Sequence, residues 1–201
     1  MYEVRIHGRG GQGVVTAAEL LSVAAFLDGK HAQAFPHFGS ERMGAPVVAY
    51  CRIDDAEIRT HEPVAQPDAL IIQDATLLAS RDVLFAGLHP DGWVVVNSTH
   101  GAADLGLGAY VRTDRLVTVP ATRLALDYVG RPVPNAVMLG ALAALTGRVS
   151  VDSVVDAIRM RFGGDLGARN AAAASAAFTA VDSGREALTA VRTGRKEPAH
   201  A

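Results

Sequence analysis

The sequence predicts an α/β domain of the Rossmann-like kind, with a mostly parallel sheet covered by helices on both faces and a helical C-terminal part. Two continuous apolar segments, "ALIIQD" at 69–74 and "WVVVNS" at 93–98, are typical of strands buried on both faces. Strand and helix patterns alternate before them and after them, as expected for a parallel sheet. We predict one domain over residues 1–191 and a disordered, polar tail over residues 192–201.

The chain begins with a strand–turn–helix pattern. Residues 2–7 alternate and contain β-branched side chains, so they predict a strand. Residues 8–13 are rich in glycine and form the predicted turn, and residues 14–27 have apolar side chains at helical spacing. Two more strands are predicted at residues 31–35 and 47–53, and a short return strand at 58–60.

The second half of the chain is increasingly helical. A helical pattern follows the first apolar segment as far as residue 88, and a short strand is predicted at residues 116–119. The remaining pattern is that of consecutive helices, which we expect to pack on the outside of the sheet or against a partner. Their predicted bounds are 121–129, 136–145, 151–162 and 167–191.

Composition and charge narrow the classes of function. The chain is 49% hydrophobic and 20% charged, as in an ordinary globular protein. A formal net charge of −2 gives no general attraction to nucleic acid or to an anionic membrane, so neither is expected as a partner. No signal-peptide pattern is recognisable, and no segment approaches the roughly 18 apolar residues of a membrane span. These features predict a soluble, cytoplasmic protein.

Cysteine and histidine give no sign of a metal centre. Cys51 is the chain's one cysteine, so it forms no intrachain disulfide and cannot alone hold an iron–sulfur cluster. Its position within a strand predicts a small core residue. The histidines lack metal-ligand spacing, and most are expected at the surface or at strand ends; those considered are His7, His31, His61, His89 and His100.

The turn after the first strand carries a phosphate-binding pattern. In "RIHGRGGQGVV", residues 5–15, Gly8, Gly10 and Gly13 fit the dinucleotide fingerprint between a strand and a helix. Glycines let backbone amides approach a phosphate, and a helix N-terminus favours negative charge. The acidic residue expected about 20 positions later for a ribose is missing, since no acid precedes Glu41 in that region. Dinucleotide binding, another phosphate or cofactor contact, and a purely structural turn all remain open.

Three long segments resemble one known family. They are "HGRGGQGVVTAAELLSVAAFLDGKHAQAFPHFGSERMGAPVVAYCRID", "PDALIIQDATLL" and "VPATRLALDYVGRPVPNAVMLGALAALTG". Together they resemble the gamma subunit of 2-oxoacid:ferredoxin oxidoreductases, the pyruvate:ferredoxin oxidoreductase group. The resemblance covers nearly the whole chain except the tail.

The resemblance implies a role as one subunit of a larger enzyme. Such complexes oxidatively decarboxylate a 2-oxoacid with coenzyme A, giving an acyl-CoA, carbon dioxide and a reduced acceptor. Thiamine diphosphate with Mg²⁺ and [4Fe–4S] clusters are expected in the complex, held by alpha, beta and ferredoxin-like delta subunits. The gamma subunit would bind none of these alone, but would line the active-site cleft and help to hold CoA. An additional flavin subunit would allow NAD as the acceptor.

The same resemblance suggests the residues of the site. The glycine turn, composed of Gly8, Arg9, Gly10, Gly11, Gln12 and Gly13, is expected to face a phosphate-bearing ligand or the cleft beside the thiamine subunit. Arg9 would add a guanidinium, whose planar fork suits phosphate. Gln12, which both donates and accepts, suits a ligand carbonyl or a neighbouring backbone.

Two further segments are candidates for the cleft or for a subunit interface. The first is Phe38, Gly39, Ser40, Glu41 and Arg42, where Arg42 would bind an anion or pair across subunits, unless it is an ordinary solvated arginine. The second contains Asn135, which fits either a helix N-cap or a cleft contact. Asp74 ends a buried strand, and we favour a helix cap for it over a ligand contact.

The substrate and some alternatives stay open at this level. Pyruvate and an aromatic 2-oxoacid such as phenylglyoxylate are both candidates, because His37 and Met43 depart from the residues expected in pyruvate-type members. A stand-alone dinucleotide-binding module or small reductase is the main alternative function. A purely structural subunit, whose loops touch only protein, is the third.

Overall fold

The computed structural model describes residues 1–37 and 43–194, with side chains as far as Gly184. Six strands form one sheet in the order β2–β3–β1–β4–β5–β6. Parallel pairing joins β1 to β4, β4 to β5 and β5 to β6, whereas β3 runs antiparallel to β1 and β2. The predicted mostly parallel sheet is confirmed. The strands are β1 (Tyr2–Arg9), β2 (His31–Pro36), β3 (Pro46–Asp54), β4 (Ala69–Ile72), β5 (Trp93–Asn97) and β6 (Leu116–Val119).

Except for the short α2, the helices begin and end close to the predicted residues. They are α1 (Val14–Leu27), α2 (Arg81–Leu84), α3 (Ala121–Val129), α4 (Asn135–Thr146), α5 (Val151–Phe162) and α6 (Gly164–Gly194). The last helix continues past its predicted end at Val191, and residues 195–201 of the predicted tail lie outside the described residues. Within the part of the chain that the structure describes, no helix is both long enough and apolar enough to cross a membrane.

One face of the sheet carries the main hydrophobic core. Alternate strand residues such as Val4, Ile6 and Ile71 point to this face and are fully buried. Helix α1 packs on the β1–β3 side of this face and α4 on the β5–β6 side, while α5 and α6 pack on these two helices. The core is rich in alanine, which lets helices α4 and α6 approach closely.

The opposite face has a thinner cover. Leu70, Ile72, Val94 and Val96 form a second apolar cluster there, closed by a 3₁₀ segment at Ala75–Ser80, the single turn of α2 and the loops that follow them. Helical segments therefore lie on both faces, as predicted, but the long helices are all on the first face.

The predicted helix through residue 88 is wrong in its length, and a buried arginine explains the difference. Instead of one helix, the chain forms a 3₁₀ segment and one α-helical turn that ends at Leu84. The Arg5 guanidinium, on strand β1, donates to the carbonyl oxygens of Leu84 and Ala86 at 2.9 and 2.7 Å. These carbonyl groups are therefore satisfied by a tertiary contact rather than by another helical turn.

The predicted return strand at 58–60 is absent from the described residues, where this segment has no regular structure. Its backbone is held by Arg52, which donates to the carbonyl oxygens of Thr60 and Glu62 and forms an ion pair with Glu3 at 2.7 Å. Since Arg52 is almost fully buried, this ion pair and its carbonyl contacts offset the cost of removing the charge from water.

Cys51 and His7 are two buried strand residues with side chains that can titrate. Cys51 is fully buried in β3, as predicted, and burial raises the pKa of its thiol, so it has no thiolate character. The histidines were mostly expected at the surface or at strand ends, and His7 lies near the end of β1 but is buried. Burial and the nearby charge of Arg5 lower the pKa of His7 to about 3, so its imidazole is neutral near pH 7.

The contact between α4 and α6 gives a stability test. A methyl group added at Gly140 would overlap the carbonyl oxygen of Ala174, so Gly140→Ala must push the two helices apart. We expect a loss of about 1–3 kcal/mol in the free energy of unfolding, measured in urea. Gly184→Ala is the matched control, because it adds the same methyl group to a helix in open space and should raise stability by about 0.5–1 kcal/mol. Equal effects of the two changes would contradict the proposed close contact.

Candidate site at the glycine loop and the carboxyl edge of the sheet

The glycine loop, Gly8–Gly13, requires glycine at several positions for different reasons. At Gly8 an added Cβ would lie 2.5 Å from a methyl group of Val14, so the strand and the helix can approach only without a side chain. Gly11 and Gly13 have φ angles of 95° and 70°, in the left-handed region that other residues rarely adopt. The fingerprint in the sequence therefore corresponds to a tight strand–helix turn.

The loop is paired with the chain segment that leads into β3. The amide of Gly10 donates to the carbonyl oxygen of Ala45 at 2.9 Å, and the amide of Gly44 donates back to the carbonyl oxygen of Gly10 at 3.1 Å. Met43 forms an isolated bridge with Gly10. Residues 38–42, including the predicted Phe38, Gly39, Ser40, Glu41 and Arg42, lie outside the described residues, but the residues that follow them contact the glycine loop.

Gln12 joins the loop to the end of strand β4. Its side-chain oxygen accepts a hydrogen bond from the backbone amide of Arg9 at 2.8 Å. Its side-chain nitrogen donates to Oδ2 of Asp74, also at 2.8 Å. Both functions of the amide are therefore used within the chain, and the predicted contact of Gln12 with neighbouring backbone is present.

Arg9 is tied to the same carboxylate. Its Nε lies 3.3 Å from Oδ2 of Asp74, and Nη2 donates to the hydroxyl of Thr76 at 2.8 Å. Nη1 donates to the carbonyl oxygen of Gly44 at 3.1 Å. The guanidinium thus links the end of β4 to the segment before β3, while one third of the side chain stays exposed. A phosphate contact for Arg9 stays a prediction.

Asp74 caps the 3₁₀ segment, as predicted, by accepting from the backbone amide of Thr76 at 2.9 Å. Partial burial by itself raises the pKa of this carboxyl group. Hydrogen bonds from Thr76 and Gln12 and the charge of Arg9 outweigh that effect and hold the pKa below its ordinary value. Asp74 is therefore ionised near pH 7 and holds three partners from two separate parts of the chain.

A cavity of about 310 Å³ opens between the glycine loop and the first turn of α1. Backbone and small side chains line it, from Arg9, Gly10, Gly11, Gly13, Val14, Val15, Thr16 and Val47. No side chain among the described residues caps α1, and its first turn contains no acid. The uncapped first turn of α1 therefore lines this loop cavity at the positive end of the helix dipole, an arrangement that favours an anion.

Asn135 brings a second predicted segment to the loop. Asn135 was expected to be either a helix N-cap or a cleft contact; it is the first residue of α4, and Pro134 precedes it in the cap position. Its side-chain oxygen accepts from the amide of Ala136 at 2.8 Å, and its side-chain nitrogen packs against Gly13. The buried Asn135 therefore helps to place the start of α1 and leaves no room for a side chain at Gly13.

A second cavity, which we call the edge cavity, lies at the carboxyl ends of β4 and β5 and was missed by sequence reasoning. Its volume is about 320 Å³, and its lining includes Gln12, Gln73, Asp74, Thr76, Asn97 and Thr122. Polar residues directly after two buried strands, "QD" and "NS", were the available signal. Within the described part of the chain, no group of His, Cys, Asp and Glu is arranged to hold a metal ion.

The role of Asp74 gives a pH-dependent prediction. Because folding lowers its pKa, Asp74 stabilises the fold fully above the ordinary value of 3.8, and this contribution is lost as the pH falls through the lowered value. We expect Asp74→Asn to reduce the free energy of unfolding by about 1–2 kcal/mol at pH 7. The deficit should shrink as urea titrations are repeated below pH 3.8. Asp156→Asn, at an exposed ion pair, is the control and should change stability by less than about 0.5 kcal/mol.

The packing of Asn135 gives a second prediction. Gly13→Ala combines an unfavourable positive φ with a clash against the Asn135 side chain, whereas Gly29→Ala has a similar φ of 76° in open space. We expect about 1–2 kcal/mol of destabilisation for Gly29→Ala and a clearly larger loss for Gly13→Ala. Thermal unfolding of both variants measures the difference. Equal losses would mean that Asn135 places no constraint on the loop.

Comparison with known proteins gives close relatives over nearly the full chain. The chain is 51% identical over 178 residues to pyruvate synthase subunit PorC of Methanocaldococcus jannaschii, covering 89% of this chain and 96% of the relative. It is 47% identical over 178 residues to the pyruvate/ketoisovalerate oxidoreductases common subunit gamma of Pyrococcus abyssi, with the same coverage.

A solved structure and a family model agree with these relatives. The crystal structure of pyruvate oxidoreductase subunit PORC from Thermotoga maritima superimposes with a TM-score of 0.76 at 33% identity, covering 89% of this chain and 95% of that one. The model of the pyruvate ferredoxin/flavodoxin oxidoreductase family matches residues 3–180. The resemblance found in the sequence is confirmed: the chain belongs to the pyruvate ferredoxin/flavodoxin oxidoreductase family.

Proposed function

We propose that the protein is the gamma subunit of a 2-oxoacid:acceptor oxidoreductase complex that uses thiamine diphosphate, Mg²⁺ and [4Fe–4S] clusters. The complex would convert a 2-oxoacid and CoA to an acyl-CoA, carbon dioxide and a reduced acceptor. Pyruvate is the leading substrate, because pyruvate stands in the names of the two relatives. Phenylglyoxylate is the alternative that substrate assays must separate from it. The acceptor would be ferredoxin, or NAD if a flavin subunit is present.

The loop cavity is the observation that carries a role in CoA binding. CoA bears phosphate groups, and the cavity combines a glycine-lined wall with the uncapped N-terminus of a 14-residue helix. Its volume is at the lower end of the range for ligand pockets, so it suits part of a ligand rather than the whole of CoA. A partner subunit would enclose the remainder, consistent with a cleft between subunits.

The cofactors are assigned to the partner subunits because of what this chain contains. Its one cysteine, Cys51, is buried in strand β3 and cannot supply the several thiolates that a cluster requires. We therefore assign the clusters to partner subunits, and we assign thiamine diphosphate, as the family resemblance implies, to the same alpha, beta and ferredoxin-like delta subunits. The same assignment makes the chain inactive alone, and we expect the complex in the cytoplasm.

The order of the strands argues against the alternative of a stand-alone dinucleotide-binding module. In the dinucleotide fold the second strand lies beside the first, in parallel, and its carboxyl end supplies the acid for the ribose. Here the antiparallel β3 lies between β1 and β2, and β2 ends at Pro36 without an acidic residue. The neighbouring strand therefore offers no matching carboxylate.

Native co-purification tests the proposed assembly. The chain, tagged and expressed in its natural host, should be recovered with larger thiamine-binding partners and with the brown absorbance of iron–sulfur clusters. The same preparation should reduce an acceptor when a 2-oxoacid and CoA are both present, and a substrate panel would separate pyruvate from phenylglyoxylate. Recovery of a colourless monomer without partners would contradict the proposed function.

A charge placed in the loop cavity tests the CoA contact. Thr16 lines the cavity in the first turn of α1. Thr16→Asp should weaken CoA binding to the complex roughly tenfold or more, because it repels phosphate. Thr16→Asn introduces a side chain of nearly the same shape as aspartate but without its charge. The complex with this variant should bind CoA within about threefold of the native affinity. Equal affinities for the two variants would remove the loop cavity from the CoA site.

A further inference from the structure

Gln73 lines the edge cavity, and its buried side chain lacks hydrogen-bond partners among the described residues. Neither its amide oxygen nor its amide nitrogen has a hydrogen-bond partner in the described part of the chain, and the residue is fully buried. A buried primary amide left unpaired is costly, and native structures seldom keep one without a reason. The amide lies against Gly8, where an added Cβ would be 3.2 Å from its oxygen.

The polar neighbours of Gln73 are already paired with each other. Asn97 donates to the backbone carbonyl of Gln73 at 2.8 Å and to Thr122 at 2.7 Å, and it accepts from the amide of Thr122 at 3.1 Å. Gln12 and Asp74 are paired as described above. Among the buried side-chain nitrogen and oxygen atoms of the described residues that line the edge cavity, those of Gln73 are the ones left without a hydrogen-bond partner.

The cavity's location favours a ligand. Strand β1 leads to β2 and β3 on one side of the sheet, whereas β4 leads to β5 and β6 on the other. Gln73 follows β4 directly at this change of direction. In open α/β sheets, ligands bind in the crevice beyond the carboxyl ends of the strands at such a point.

The lining of the edge cavity is mostly uncharged, with His100 and Asp74 as its titratable side chains among the described residues. None of the described residues that line the edge cavity is a lysine or an arginine, and the one carboxylate, Asp74, is already paired with Arg9. What Gln73 offers is one donor and one acceptor side by side, in a plane. A group with the reciprocal pair would satisfy both at once, as glutamine does with the edge of adenine.

We infer that the edge cavity binds an uncharged planar group that presents a donor and an acceptor side by side, and that Gln73 pairs with it. Carboxamides and aminopurines have this chemistry. The inference deepens the proposed function and rests on it, because CoA contains both an adenine ring and the amides of its pantetheine arm. The glycine loop would then separate two subsites, one for phosphate in the loop cavity and one for the neutral group in the edge cavity.

Gln12 is a close neighbour of Gln73, because both side chains lie against Gly8, where an added Cβ would be 3.1 Å from the Gln12 oxygen. Because the Gln73 amide atoms are buried, a side chain beside them must move before a ligand can reach them.

The test uses two probes, one with the adenine ring of CoA and one with its pantetheine amides. Two-dimensional ¹H–¹⁵N spectra of the full chain are recorded with adenosine and, separately, with pantetheine, and the Gln73 side-chain signals are identified by their absence in Gln73→Met. One probe should shift these signals. Gln73→Met, which keeps the length of the side chain, should weaken binding of that probe roughly tenfold or more. Gln66→Met, at an exposed glutamine, is the control and should leave binding unchanged.

Thermal unfolding separates a ligand contact from a structural role. If Gln73 is kept for a ligand, Gln73→Met removes an unpaired amide and should leave Tm unchanged or raise it. A lower Tm, an unaltered affinity in Gln73→Met, or Gln73 signals that neither probe shifts would overturn the inference. The chain can co-purify with its partner subunits even when Gln73→Met leaves the affinity unaltered or neither probe shifts the Gln73 signals. In that case the inference about Gln73 fails and the subunit assignment stands.

Discussion

The carboxylate of Asp74 joins the elements on which the candidate site depends. It accepts hydrogen bonds from the Gln12 side chain and the Thr76 backbone and pairs with Arg9, so the glycine loop is held against the end of β4. Arg9 then extends the link to Gly44, in the segment before β3. The loop that precedes α1 is thus positioned by three strands, β1, β3 and β4, rather than by its own glycines alone.

This arrangement connects the fold to the proposed chemistry. Backbone amides recognise phosphate well only when they are held in place before the ligand arrives, because ordering a loop costs conformational entropy. Asp74 and Asn135 supply that order from opposite sides, one at the strand end and the other against Gly13. The start of α1 is left uncapped between them, which makes its first turn available to a ligand or a partner subunit.

Much of the fold was predictable because local pattern and tertiary environment agree. Helix α1 lies between a glycine turn and Asp28-Gly29, and the structure gives it the predicted bounds. The segment after β4 was not predictable, because Arg5, some 80 residues away in the chain, takes the carbonyl groups that would have continued the helix. For the site, spacing alone identified the glycine loop. Gln73 escaped notice, since a polar residue after a strand is ordinarily exposed, and only the packing shows it buried without a partner.

The most direct test of the account is a structure of the native complex with CoA bound. We expect a CoA phosphate within hydrogen-bonding distance of the first-turn amides of α1. Asp74 should still hold Arg9, whether or not the ligand displaces Gln12. It also predicts that a partner subunit covers the rest of the ligand. CoA bound wholly by other subunits, with the loop cavity filled by protein, would contradict a ligand-binding role and leave the chain as a structural subunit.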